Sequence, residues 1–436
     1  MKIMLIFPKV NYAHEKIKDH KEFLRKIFGE PVSLTLPQVA AATPKSNTVT
    51  IINENYEKID FSNKPDLVGI TCLTMSAPRA YEIADKFRSM GVPVILGGNH
   101  PTALPEEAKQ HADAVVIGEA EIMWPRLLND FEIGQLKPFY ISKEIISPDD
   151  IPEPRRELIK EKYSVDGLLI RRGCPNRCEF CTVTSLYSKD QRLIENVLKE
   201  IKNISAKRIF IYDQNFTWNM DYIKKFLNEI KTINKRWYAN GTVNVLEEND
   251  DFLKLARDAH IFYWYIGFES ISQKSLNGAN KKNNNVEKYE SAIKKIKSYG
   301  MSITGSFIFG FDEDTSDIFD NTLKIIKDWD IDIAEFHVLT PFPGTALYKK
   351  LKKEGRILTE DWSKYNTANV VFKPKNMSVE ELFEGTKKIV KNFYSLSKIM
   401  QRSIKSFQNT NDIFISNLIL ISNLLYRERY KNQFNF

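Results

Sequence analysis

No run of about 18 apolar residues occurs in this 436-residue chain, so nothing in it suggests a membrane-spanning helix. The opening MKIMLIFPKV is too briefly apolar for a secretory signal. Pro8 interrupts it and no small-residue cleavage site follows, so the expected location is the cytoplasm. Cysteine is scarce: there are four, and Cys174, Cys178 and Cys181 fall close together. A disulfide scaffold would spread an even set through a short secreted chain, so cysteine here points to metal. Surplus charge is equally local. The net charge is +7, and from Lys387 onward nine Lys and Arg stand against two acids, which leaves the rest formally neutral and without a basic patch for nucleic acid. With 42% hydrophobic and 27% charged residues, the chain is long enough for two or three domains with ordinary cores.

What is present is βα alternation, twice over. Residues 1–134 carry the strand patterns KIMLIF, TVTIIN, LVGIT, VPVIL and AVVIG, with a clear helical period in APRAYEIADKFRSMG ending at Gly91. This predicts a Rossmann-like parallel sheet covered by helices, with its ligand at the carboxyl ends of the strands. Those ends hold residues 71–76 (including Thr71 and Thr74), GGNHPT (Gly97, Gly98, Thr102) and GEAE (Gly118, Glu119). One such glycine loop alone is better explained as a tight turn, whereas three on one sheet edge favour a ligand. Residues 135–165, rich in proline and charge, read as a linker. Over 166–375, GLLIR, RIFIY, WYANGT, FYWYIG, SITGSFIFG and IAEFHVL alternate with helical patterns. Six βα units predict a partial barrel, since a closed one needs eight. Residues 376–436 read as a C-terminal helical extension. KKNNN near Lys281 is the one low-complexity tract.

RRGCPNRCEFC, placed after the first barrel strand, spaces its cysteines C-x3-C-x2-C. Three thiolates in one loop can hold three irons of a 4Fe-4S cube and leave the fourth open. The amino and carboxylate groups of S-adenosylmethionine can chelate that iron, so that an electron cleaves the sulfonium and yields a 5′-deoxyadenosyl radical. The alternative is structural zinc, which normally closes with a fourth Cys or His at short spacing, and none appears nearby. Cys72, about a hundred residues upstream, reads as a small buried apolar residue.

With these motifs in place, residues 166–375 resemble the radical S-adenosylmethionine superfamily, and the domain order resembles its cobalamin-binding branch. The resemblance includes Phe180 before the third cysteine, YDQNF (Asp213, Asn215), IGFES (Glu269, Ser270), GSFIFGFDEDT from Gly305, and LTPFPGT. It implies that Phe180, Asp213, Asn215, Glu269, Ser270 and Gly305 surround S-adenosylmethionine. Other uses are open to them: Asp213 and Asn215 as helix caps, Glu269 as an ion-pair partner of Arg172 or another barrel base.

The same resemblance implies that Thr71, Thr74, Gly97, Gly98, Thr102, Gly118 and Glu119 contact cobalamin. The D-x-H-x-x-G string of methionine synthase and the cobalamin mutases is missing, and Gly98-Asn99 precede His100, which reads as a loop residue rather than a cobalt ligand. A domain that keeps the fold without the cofactor is the alternative. The implied reaction consumes two molecules of S-adenosylmethionine: one methylates reduced cobalamin, the other gives the radical that activates an unreactive carbon. The carbon radical then takes the methyl group. Its implied partners are a small-molecule or lipid-like substrate and an external electron donor such as flavodoxin or ferredoxin. A radical oxidase or cyclase without methyl donation and a non-enzymatic cobalamin or iron–sulfur carrier are the rivals. The apolar stretch at residues 413–425, followed by Arg427, Arg429 and Lys431, predicts either peripheral membrane contact or a helix packed on the barrel.

Overall fold

The computed structural model describes residues 1–10, 32–142, 147–160, 163–183, 190–434 and 436. Short runs of branched apolar residues form the first sheet: β1 (Lys2–Phe7), β2 (Thr48–Asn53), β3 (Leu67–Thr71), β4 (Val94–Gly97), β5 (Ala114–Ile117) and β6 (Phe139–Ile141). All pairings are parallel, in the order β2-β1-β3-β4-β5-β6. Such a sheet is buried on both faces, which is why these strands are nearly continuous in apolar residues. Between them, helix Ala77–Ser89 turns Ala80, Tyr81, Ile83, Ala84 and Phe87 inward, with Pro78 in its first turn and Gly91 beyond its end at φ +76°. The stretch read as a linker thus supplies a sixth strand, whose short FYI buries only Tyr140.

The second sheet is the six-stranded partial barrel. Its strands are β7 (Val165–Leu168), β10 (Arg208–Ile211), β11 (Arg236–Gly241), β12 (Ile261–Glu269), β13 (Ser302–Phe309) and β14 (Ile333–Val338), and a small hairpin of β8 (Arg171–Arg172) and β9 (Asp190–Gln191) follows β7. The order is β14-β13-β12-β11-β10-β7, all parallel. Outward-facing residues of adjacent strands stack in the core: the rings of Phe268 and Phe307 lie 5.6 Å apart and those of Phe307 and Phe336 5.9 Å.

Three helices complete the chain: Val379–Phe393, opened by a Ser378/Glu381 capping box, Leu396–Thr410 and Ile413–Phe434. The last buries Ile415, Leu418 and Ile419 against Val165, Tyr238, Phe262 and Ile333 near the starts of barrel strands, at roughly 1.5–3 kcal/mol per side chain. Further along it, Asn423 donates to the Asp332 carbonyl at 3.0 Å, and the Phe336 amide donates to the Tyr430 hydroxyl at 2.9 Å. Tyr426 donates to Glu335. Of the two expectations for residues 413–425, packing on the barrel describes this face. Among the described residues no helix is long and apolar enough to cross a membrane.

Candidate active site

The order of the first sheet reverses between β1 and β3, and at such a switch the strand ends leave a crevice. A cavity of about 270 Å³ lies there. Its apolar wall includes Leu5, Ile95, Val116 and Trp124, and Gly69 makes room for it: a Cβ at Gly69 would stand 2.8 Å from Leu5 and 3.0 Å from the Trp124 ring. Thr71, Gly97, Gly98, Thr102, Gly118 and Glu119 all line the cavity. Gly98 has φ +99°, and a Cβ on it would meet Thr71 Oγ1 at 2.8 Å and the Cys72 carbonyl at 2.9 Å, so backbone alone fits. The Gly118 amide donates to Thr102 Oγ1 at 3.0 Å and ties two of the loops together. Thr74 lies elsewhere. It is buried in the 3-10 turn Thr74–Ser76, where the Leu73 amide donates to Ser76 Oγ at 3.1 Å, and Leu73 takes the place in the cavity wall.

His100 sits in the short helix Asn99–Ala103 and is fully buried. Its Nε2 lies 3.1 Å from both the Tyr81 hydroxyl and Glu107 Oε1. Trp362, from beyond the barrel strands, donates to the same Glu107 oxygen at 2.9 Å. The imidazole therefore belongs to a contact between the two halves of the molecule, while its neighbour Asn99 lines the cavity.

Arg172 also lines this cavity, although it belongs to the barrel half and stands two residues before Cys174. It is buried and ion-paired with Glu119 at 3.1 Å and with Glu121. Burial raises the Glu119 pKa, and the nearby Arg172 guanidinium works against that rise. One buried cation between two buried carboxylates thus joins the cysteine loop to the cavity wall. The sequence suggested Arg172 or another barrel base as the partner of Glu269; that base is Lys281, and Arg172 pairs instead with the acids of GEAE.

The cysteine loop is held by backbone. The Cys181 amide donates to the Cys178 carbonyl at 3.1 Å, the Glu179 amide to the Ala279 carbonyl at 3.0 Å, and Asn280 Nδ2 to the Arg177 carbonyl at 2.7 Å. None of the four cysteines forms a disulfide. Burial pushes the Cys178 thiol up to about 11, against the pull of the Lys281 ammonium. A mononuclear site needs three or four donors around one ion, and among the described residues no three His, Cys, Asp or Glu group that way. A cube asks less of the chain, because each thiolate meets a different iron. Cys72 is buried at the end of β3, where burial raises its thiol far above the usual range.

Glu269 ends β12 at a register shift with φ +65°, an uncommon conformation for a residue with a side chain. Lys281 pairs with it at 2.9 Å, and Asn284 Nδ2 donates to the Gly267 and Phe268 carbonyls at 2.9 and 3.2 Å. The apparent low-complexity tract therefore supplies two side chains that fix this strand end. Their signal was hidden by composition, since three asparagines in a row read as loop.

The other residues implied to surround S-adenosylmethionine divide. Phe180 packs edge-on against Phe311, with centroids 5.9 Å apart, beside a second cavity of about 130 Å³ that also includes Glu179 and Lys350. Ser270 Oγ accepts from the Ser272 amide at 3.1 Å. Asn215 Oδ1 accepts from Thr217 at 2.8 Å. Neither Asp213 nor Asn215 caps the next helix; Asn219 does, accepting from the Tyr222 amide. Asp213 is completely enclosed: it accepts from the Ile170 and Arg171 amides at 2.9 and 3.1 Å and lies 3.1 Å from the Arg171 Nε. Burial raises its pKa to about 6, against Arg171. Its carboxylate shapes the backbone that leads into the cysteine loop and offers no face to a ligand. Gly305 is likewise buried, and a Cβ there would come within 3.0 Å of Phe268, so it serves the stacking of rings behind the strand.

Residues 168–326 match the model of the Radical SAM superfamily, residues 39–128 that of the B12 binding domain, and residues 345–417 that of a domain of unknown function. The chain is 33% identical over 386 residues to the bacteriochlorophyllide d C-12(1)-methyltransferase of Chlorobaculum tepidum, covering 85% of this chain and 84% of that one. It is also 33% identical over 365 residues to the bacteriochlorophyllide d C-8(2)-methyltransferase of the same organism, with 78% and 80% covered. In fold it is similar to the cobalamin-dependent S-adenosylmethionine radical enzyme OxsB, at TM-score 0.66 and 16% identity over 99% of this chain and 72% of that one. Two parallel sheets in this order, with a glycine-lined cavity on one and a three-cysteine loop on the other, agree with those matches. The chain belongs to the cobalamin-binding radical S-adenosylmethionine enzymes and works with a 4Fe-4S cluster, S-adenosylmethionine and cobalamin.

Proposed function

We propose that the protein methylates an unactivated carbon of a small-molecule or lipid-like substrate held between its two sheets. The observation that carries this reading is Arg172, which belongs to the cysteine loop's own flank and lines the cavity of the other sheet. Methyl transfer to a carbon radical requires both cofactors to reach one substrate, and a shared buried wall supports that. When bound, the cofactors supply a carbon-centred radical and a methyl group to quench it. The chain's own residues hold and orient. Cys174, Cys178 and Cys181 hold the three protein-ligated irons, Phe180, Glu269 and Ser270 border the S-adenosylmethionine, and Gly97, Gly98, Gly118, Thr71, Thr102 and Glu119 let cobalamin approach backbone. The three reduced cysteines suit the cytoplasm, where an external donor such as flavodoxin or ferredoxin supplies electrons.

The test is anaerobic reconstitution followed by mass spectrometry of the products, with bacteriochlorophyllide d, named in two relatives, as the first substrate class offered. Deoxyadenosine together with S-adenosylhomocysteine and a product heavier by one methyl is the expected result. Substrate turned over with deoxyadenosine alone would replace methyl transfer by radical oxidation or cyclisation. A second expectation concerns the cobalt. Because His100 is turned toward Tyr81 and Glu107, His100→Ala leaves the electron-paramagnetic spectrum of bound cobalt unchanged. Loss of nitrogen hyperfine structure in that variant would make His100 a ligand after all.

A further inference from the structure

Along β12, β13 and β14 the half-buried positions are Tyr263, Tyr265, Gly267, Ile308, Glu335 and His337. Successive strand side chains alternate between faces, and their neighbours Phe268, Phe307 and Phe336 are buried in the outer core, so the accessible face is the inner one. The interior of a closed barrel is packed with branched apolar side chains. This barrel follows that rule at its floor, where Val165 and Ile333 meet Ile415, Leu418 and Ile419. Above the floor the inner wall is partly open and carries a carboxylate, Glu335.

Glu335 Oε2 accepts from the Tyr265 hydroxyl at 2.7 Å and from His337 Nε2 at 3.2 Å, and Oε1 accepts from the Tyr426 hydroxyl of the C-terminal helix. Thr367 Oγ1, 3.1 Å from Nδ1, fixes the other side of the imidazole. Burial disfavours the Glu335 charge, but His337, the Arg429 guanidinium and Tyr265 together hold its pKa down to about 2. Desolvating a carboxylate is costly, and an apolar side chain would close the wall without that cost. A carboxylate held by donors from β12, β14 and the last helix therefore asks for a functional reason. Its depth supplies one. Phe336, between Glu335 and His337, stands level across the sheet with Phe307 and Glu269. Both side chains thus lie within one residue, about 3.3 Å along the strand, of the level of Glu269, which is assigned above to the border of the S-adenosylmethionine. A carboxylate offers about four acceptor positions, and among the described residues Oε1 receives one hydrogen bond, which leaves it room for another.

We propose that Glu335 takes a hydrogen-bond donor of the substrate, an O–H or N–H, inside the barrel, with His337, Tyr265 and Tyr426 as its positioning residues. The C-terminal helix is then part of the substrate site. The inference rests on the radical reaction proposed above, whatever becomes of the carbon radical afterwards.

The test is the deoxyadenosine formed per substrate consumed, measured on the full, reconstituted protein with bacteriochlorophyllide d as the probe. Glu335→Gln keeps the shape and removes the charge. It should raise KM about ten- to a hundredfold, as expected for one lost hydrogen bond to a charged group. It should also raise deoxyadenosine per substrate consumed, because a loosely held substrate misses the radical. Glu335→Asp should recover part of both. Tyr426→Phe leaves the carboxylate in place and should show the same changes at smaller size. Iron content and circular dichroism at wild-type values separate positioning from misfolding. Wild-type KM and coupling in Glu335→Gln would overturn the proposal, and so would an iron loss that accounts for its whole defect. A wild type that oxidises the compound instead of methylating it would overturn the methyl-transfer reading alone, since the ratio in Glu335→Gln still decides this one.

Discussion

Replacing any one of Cys174, Cys178 and Cys181 by Ala is expected to abolish cluster assembly and, with it, all deoxyadenosine formation, whereas Cys72→Ala leaves both intact. Each motif thiolate has its own iron to hold, so a single loss opens a second corner of the cube, and among the described residues no group of His, Cys, Asp or Glu stands ready to close it. Cys72 is fully buried at the end of β3, with a thiol made hard to ionise by burial, and takes no part. Iron and sulfide content after anaerobic reconstitution decide the matter before activity is measured. An iron content equal to wild type in any one of the three motif variants would remove that cysteine from the ligand set.

The second large effect is expected at Arg172. Arg172→Ala leaves Glu119 and Glu121 buried and facing each other without their cation. Breaking a buried ion pair from one side costs about 3–5 kcal/mol, read here as a lower denaturation midpoint. Cobalamin retention on gel filtration should fall with it, because the cavity wall then carries two uncompensated negative charges. Neutralising the acids as well, with Glu119→Gln and Glu121→Gln added to Arg172→Met, should recover most of the stability. A single Arg172→Ala variant as stable as wild type, and as well loaded with cobalamin, would end the role assigned to this residue.

Much of this architecture was legible in the sequence because parallel strands buried on both faces write themselves as apolar runs. β6 was not: FYI is three residues long, offers one buried side chain, and sits between Pro138 and Pro148. The final helix was legible as one of two expectations, and its packing on the barrel is the one observed. Its polar residues scatter around the axis, which suits packing on protein better than on lipid: Asn423 answers the Asp332 carbonyl and Arg402, and Ser416 answers the Ser403 carbonyl. Buried polar groups satisfied by a neighbour leave no periodic trace. The cysteines were readable from spacing alone, and the strand-end glycines from their clustering. Lys281 and Asn284 were not, since their value depends on meeting a strand end that only the fold brings near.

The helix Ile413–Phe434 also sets a timetable for the chain's birth. β14 is the outer strand of an open sheet; the Phe336 amide on it is answered by Tyr430 and the Asp332 carbonyl just before it by Asn423, while Tyr394 answers the Ala334 carbonyl and Thr367 the Val338 amide. Synthesis proceeds from the N-terminus, so the barrel emerges from the ribosome with that border bare, and bare strand borders recruit other chains. Protection is complete only when the residues around 413–434 have been made and have folded back. A ribosome that stalls after β14 therefore releases an assembly hazard, not merely a shortened enzyme, and slow translation late in the message should raise aggregation more than an equal delay within the first sheet.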